Sequence, residues 1–208
     1  YLFKLGGKAK KASIEIVKSN KKDKVLIDYC NLILKNHLKI ISENKKDLEK
    51  AKKQKLKENL IKRLSIDKEK LLQIINSIKM IIKLKDPVNI TLNKWKRPNG
   101  LKIKKVTTSI GVIAVIYESR PNVTSDVASL CFKSGNPVIL KGGSEAYHSN
   151  KFFISLFRKA LKKNKVNKDY VQFIDSKSRK VVDFLLTKMA NFIDVIIPRG
   201  GKNLVKKI

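Results

Sequence analysis

The chain is poor in cysteine, glycine, proline and acidic residues. Its 208 residues include 2 cysteines, 9 glycines, 5 prolines and a single tryptophan, and only 17 acidic side chains stand against 48 basic ones. Two cysteines, Cys30 and Cys131, cannot build a disulfide framework, and no charged-then-apolar leader marks secretion. Neither His37 nor His148 has partners at metal-ligand spacing, so no metal site is expected. The longest apolar run, 110–117, is far short of a membrane span. These absences predict a soluble cytoplasmic protein in a reducing compartment. Tyr1 is not a methionine and no closing signal precedes Ile208, so the expectation is a fragment of a longer chain.

Apolar residues at 42% are enough to build a substantial core, in one domain or two small ones. The formal charge of +31 would attract polyanions, with salt-sensitive, non-specific affinity. A dedicated nucleic-acid binder gathers its charge on one face and interleaves arginines or aromatics. Here 42 of the basic residues are lysine, only six are arginine, and they run the whole length of the chain. That spread predicts a lysine-rich background on solvated positions, with no specific nucleic-acid partner. A non-catalytic nucleic-acid binder is the alternative that this charge supports.

The first third reads as helices. Val25, Leu26, Tyr29, Leu32 and Ile33 recur at the three-and-four spacing of an amphipathic helix over 25–41. The nearly all-charged stretch 43–57 reads as its exposed continuation. A second helix spans 67–84, with Asp67 as N-cap and Asp86-Pro87 as the stop. Alternating segments around Pro98-Asn99-Gly100 predict a β-hairpin over 90–108, either an oligomerisation arm or an ordinary surface hairpin.

From residue 110 apolar strands alternate with helices: strands at 110–117, 138–140, 170–174 and 192–197, and helices at 123–133, 146–163 and 178–189. This is the pattern of a Rossmann-like α/β fold, a parallel sheet with helices on both faces. Right-handed crossovers place the loops that follow the strands along one sheet edge, where such folds bind ligands.

Three of those loops have unusual composition. In Glu118-Ser119-Arg120-Pro121-Asn122 the asparagine amide could donate to a developing oxyanion, and the arginine could hold a phosphate or carboxylate. The same asparagine would serve equally as N-cap of the helix that follows. In Lys141-Gly142-Gly143-Ser144-Glu145 two glycines allow close backbone approach, beside a lysine and a serine suited to ribose or phosphate. Pro198-Arg199-Gly200-Gly201-Lys202 is a second paired-glycine loop. Neither is GxGxxG or a P-loop, but two on one edge point to a dinucleotide site.

Taken in order, segments 111–124, 133–145 and 193–201, with the Asp86-Pro87-Val88 junction, resemble the glutamate-5-semialdehyde dehydrogenase (gamma-glutamyl phosphate reductase) family of the aldehyde dehydrogenase superfamily. The resemblance covers essentially the whole chain. It implies a helical N-terminal part at 1–89, an oligomerisation hairpin at 90–108 and an NADP-binding core at 109–208, with the catalytic domain and its nucleophilic cysteine absent. It implies NADPH-dependent reduction of L-glutamate 5-phosphate to L-glutamate 5-semialdehyde in proline biosynthesis, a homo-oligomer, and a glutamate 5-kinase as possible partner. Asn122 matches the oxyanion donor, Lys141 and Ser144 positions near the adenosine ribose, and Gly200 and Gly201 the pyrophosphate loop. Gly142 and Gly143 are read with the same cofactor site. Arg120 as a substrate-phosphate contact is inferred from charge and position. The remaining alternative is a truncated interaction module pairing through the hairpin.

Overall fold

A computed structural model describes residues 1–200 except 16, 119 and 179. Helices α1 (Leu2–Ile14), α2 (Ser19–Lys35), α3 (His37–Lys53), α4 (Glu58–Leu64) and α5 (Lys68–Lys83) precede an antiparallel hairpin of β1 (Thr91–Lys96) and β2 (Lys102–Val106). There follow β3 (Ile113–Tyr117), α6 (Pro121–Lys133), β4 (Val138–Lys141), a 3₁₀ turn Ser144–Ala146, α7 (Tyr147–Lys163), β5 (Val171–Phe173), α8 (Lys180–Lys188) and β6 (Val195–Arg199).

The second half forms a four-stranded parallel sheet in the order β5-β4-β3-β6. Successive side chains of a strand point to opposite faces, and both faces are covered. Ile113, Val115, Tyr117, Val138 and Leu140 join the core under α2, α5, α6 and α7, where Phe157 packs at 4.5 Å from Tyr29 and 5.8 Å from Phe132 between ring centres. Val112, Ala114, Ile116 and Ile139 face α1 and α8 through Leu5, Ala9, Val182, Leu185 and Met189. Double-sided burial is why 112–117 reads as one apolar run, whereas Ile110 at its start is exposed.

Strand β3 starts at Ile113 rather than 110, because side chains take the preceding backbone. Asn136 Oδ1 accepts from the amides of Ile110 and Gly111, and Asp194 accepts from Val112. Gly111 has φ +125°, and a Cβ there would fall on the Asp194 carboxylate, so the position requires glycine. The same Asp194 turn delays β6 to Val195.

Asp67 caps α5 through the Lys70 amide at 2.7 Å, as its position predicts. The helix expected over 25–41 is broken at Asn36, whose amide folds back onto the Leu32 carbonyl and separates α2 from α3. The charged stretch 43–57 is not merely a solvated face. Asn44, Asp47 and Ala51 are buried, and α3 ends at Lys53. The lysine background is also partly structural. Lys22 is 2% exposed and paired with Asp86, and the buried Lys133 pairs with Asp23.

Asp28 of α2 accepts from Lys163 at 2.6 Å and Asn164 at 2.7 Å, tying α2 to the end of α7. The Lys163 hydrogen bond, ahead of the opposing effect of burial, holds its carboxyl below the ordinary 3.8. A carboxylate depressed on folding stabilises above its unfolded pKa and loses that stability as pH falls through the folded value. Asp28→Asn should therefore lower Tm by about 2–4 °C near pH 7, and the gap to the parent should narrow as pH falls below 3.8 toward the lowered folded value. Thermal melts at neutral and acid pH read this, and a gap that widens in acid would refute it.

Candidate functional site

In the sheet order β5-β4-β3-β6 the chain moves outward from β3 to β5, then returns to the other side of β3 with β6. Open parallel sheets bind ligands outside the carboxyl ends of the strands at such a reversal. A cleft of about 350 Å³ opens at that point, lined by Tyr117, Arg120, Arg199 and Gly200 from the strand ends, and by Leu60 and Arg63 of α4.

Proline at the first helical position starts α6 at Pro121 and makes Arg120 its N-cap. Asn122 is thus inside the first turn and is not the cap, which removes the capping reading of that residue. Its Nδ2 lies 3.4 Å from Asp126 Oδ2, one turn along. Burial raises the Asp126 carboxyl above its usual range, while the Asn122 bond and Arg199 oppose the rise. The other carboxylate oxygen, Oδ1, is buried with no hydrogen-bond partner among the described residues.

Lys141, Gly142, Gly143 and Ser144 sit one strand further over, at the end of β4, outside the cleft lining. Lys141 is 6% exposed and donates to the Gly142 carbonyl at 2.9 Å. Burial lowers its ammonium pKa, which Glu145 partly restores. Ser144 donates to Glu145 at 3.3 Å, and its carbonyl accepts from Lys50.

Neither glycine of this pair uses a left-handed backbone; Gly142 is needed for close approach. The space its side chain would fill is held by Asn150 and Tyr117. Tyr117, Thr124 and Asn150 form a buried chain of hydrogen bonds of 2.6 and 2.7 Å, so one polar string joins the cleft wall, α6 and α7, and the β4 loop packs against it at Gly142. The structure brings Arg120 and Gly200 into one cleft and sets the Lys141 loop against Tyr117, one of that cleft's walls. Gly201 lies outside the described residues.

Residues that motif reading missed come from the helical half. Arg63 reaches the cleft from α4. Asp47 of α3 accepts from the amides of His148 and Ser149 at 3.0 and 2.8 Å and from the Ser149 hydroxyl at 2.7 Å. A signal existed for Asp47: Ile40, Asn44, Asp47 and Ala51 continue one helical stripe. For Arg63 it was the rarity of arginine. Both cysteines are buried, and burial pushes the thiols up, to about 11 for Cys30 and about 12 for Cys131. Neither is a ready nucleophile.

No protein-family model matches the chain. It is 43% identical over 99% of its length to a gamma-glutamyl phosphate reductase from Petrotoga mobilis, of which it covers 50%. The crystal structure of gamma-glutamyl phosphate reductase from Thermotoga maritima superposes with a TM-score of 0.95 at 34% identity, covering 99% of this chain and 50% of that one. An acetylating aldehyde dehydrogenase from Geobacillus thermoglucosidasius shares the fold, with a TM-score of 0.73 at 16% identity over 99% of this chain and 43% of its own. The chain spans about half the length of the curated relatives it matches. Among the described residues, no helix is long and apolar enough to cross a membrane.

Proposed function

This chain is a homologue of about half of a gamma-glutamyl phosphate reductase, and from that premise we propose that it is the NADPH-binding half of an enzyme reducing L-glutamate 5-phosphate to L-glutamate 5-semialdehyde with release of phosphate. The observation that carries this reading is the basic cleft at the sheet reversal, flanked by Asn122 in the first turn of α6 and by Gly200 at the end of β6.

The residues present suit a nicotinamide dinucleotide. Arg120 and Arg199 offer forked donors to phosphates, Gly200 lies beside them in the cleft wall, and Gly142 and Gly143 keep the β4 end low. Bound there, the cofactor would supply hydride. Asn122 donates from its amide to the oxygen that gains charge during reduction, a contribution of about 3 kcal/mol for donors of this type. For this, Nδ2 leaves the long contact with Asp126.

Lys141 supplies positive charge near a ribose 2′-phosphate once its ammonium leaves the Gly142 carbonyl, and Ser144 donates to the ribose. With Cys30 and Cys131 buried and protonated, the thiolate that attacks the acyl phosphate belongs to sequence outside this chain, and these 208 residues alone are expected to reduce nothing. The hairpin, with Leu92 59% and Trp95 43% exposed, is the surface we assign to self-association.

Fluorescence titration tests the reading. NADPH should bind the chain, and Lys141→Ala should weaken NADPH about tenfold while leaving NADH nearly unchanged. Equal loss for both cofactors would remove the 2′-phosphate role, and no binding of either would sink the assignment.

A further inference from the structure

In this sequence lysine is the default cation, 42 against six arginines, yet three of those six arginines line the one cleft at the sheet reversal. Arg63 comes from α4, Arg120 from the N-cap of α6 and Arg199 from the end of β6. A guanidinium offers a planar fork of donors that matches phosphate oxygens, which a lysine ammonium does not. All three are exposed, and none forms an ion pair among the described residues, whereas Arg158 is committed to Asp169 at 3.0 Å. Glu118 is the one carboxylate among the described lining residues, so the lining carries a charge of +2. Lys70 adds to the local field. It donates to the carbonyls of Arg63 and Ser65 at 3.0 and 2.7 Å, which fixes the end of α4 against the cleft. Three guanidinium groups gathered around a net positive lining repel one another, and a bound anion relieves that repulsion.

We propose that Arg63, Arg120 and Arg199 together bind a phosphoryl dianion, and that Arg63 closes the site from the helical half. This rests on the reading above, which brings two sources of that chemistry: the acyl phosphate with the inorganic phosphate it releases, and the cofactor's pyrophosphate. Arg63 is a binding residue contributed by an element that carries no motif.

The test is a titration of the chain with inorganic phosphate followed by phosphorus NMR. Arg63→Gln and Arg199→Gln should each weaken binding about tenfold, the loss of one charge-assisted contact. Lys104→Gln, which removes the same charge on the distant hairpin, should change it less than about twofold. Arg63→Lys keeps the charge and loses the fork, so it should fall between these limits and also covers the case of a misfolded glutamine variant. Arg63→Gln matching Lys104→Gln would overturn the site, leaving only the general attraction of a +31 chain. Repeating the titration with saturating NADP⁺ identifies the source: unchanged phosphate binding assigns the site to the acyl phosphate, and competition assigns it to the pyrophosphate. Phosphate binding without NADPH binding would remove the cofactor reading and leave the arginine site standing.

Discussion

Gly142→Ala should cost about 3 kcal/mol of stability, a fall in Tm of about 6–12 °C for a chain of this size, and should abolish measurable NADPH binding. A Cβ at this position would lie 2.3 Å from Asn150 Nδ2 and 3.2 Å from the Tyr117 ring carbon and hydroxyl. Neither neighbour can yield cheaply. Asn150 is fully buried and accepts from Thr124, which is bonded to the Tyr117 hydroxyl, so moving one breaks the string. Overpacking of this kind costs about 1–3 kcal/mol, and orphaning a buried hydrogen-bonding group a similar amount. The backbone must otherwise rise, carrying Lys141 and Ser144 with it. Gly100→Ala is the comparison: φ is +86° in the hairpin turn but nothing lies within 4 Å, so only the left-handed backbone cost of about 1–2 kcal/mol remains. If Gly142→Ala melts no lower than Gly100→Ala, the close-approach account is wrong.

Asp47→Ala is expected to be comparably damaging, about 3 kcal/mol. Helix α7 has Ala146 at its N-cap, which offers no side-chain acceptor. The missing cap comes from another helix: Asp47, fully buried on α3, takes the first amides of α7 and the Ser149 hydroxyl. Asn44 extends the arrangement, donating to Ser149 and to the Leu64 carbonyl and accepting from the Ile66 amide at 2.8 Å. Burial raises the Asp47 carboxyl, and the Ser149 and His148 hydrogen bonds pull it back, so its removal relieves some desolvation while stranding buried donors. Each stranded donor costs about 1–3 kcal/mol, and the donors dominate. Asp47→Asn keeps one acceptor oxygen and should lose about half as much. Because α7 begins where the Lys141 loop ends, cofactor affinity should fall in parallel with Tm. A melt for Asp47→Ala within about 1 °C of the parent would contradict this.

These two positions mark the limit of what the sequence discloses. Strand and helix alternation after residue 110 is legible because a doubly covered parallel sheet needs unbroken apolar strands. The 67–84 helix is legible because its cap and its proline stop are local. Asp47 is not, since its partners lie about 100 residues away and it sits in a mostly charged stretch, so its charge reads as solvated until α3 is docked on α7. Asn36 breaks a helix that periodicity carries straight through, by a side-chain bond to its own preceding turn. The glycine loops announce an edge but not their separate places on it. Arg120 and Gly200 meet across the β3–β6 reversal, while Lys141 stands one strand away. Arg63 belongs to a seven-residue helix with no motif, and only the scarcity of its residue type sets it apart.

The β3–β6 pairing also orders events in time. Ile113 is matched with Val195, 82 residues later in the chain. At about 5–20 residues per second, ribosomal synthesis leaves roughly 4–16 s between β3 and its partner, and β3, β4 and β5 are all present without β6 for about the last 1–4 s of it. During it the β3 edge is unpaired, and the arginines of α4 and α6 face each other without the third wall. Every other strand pair can form earlier. The anion-binding cleft is therefore the last part of the architecture that a newly made chain completes.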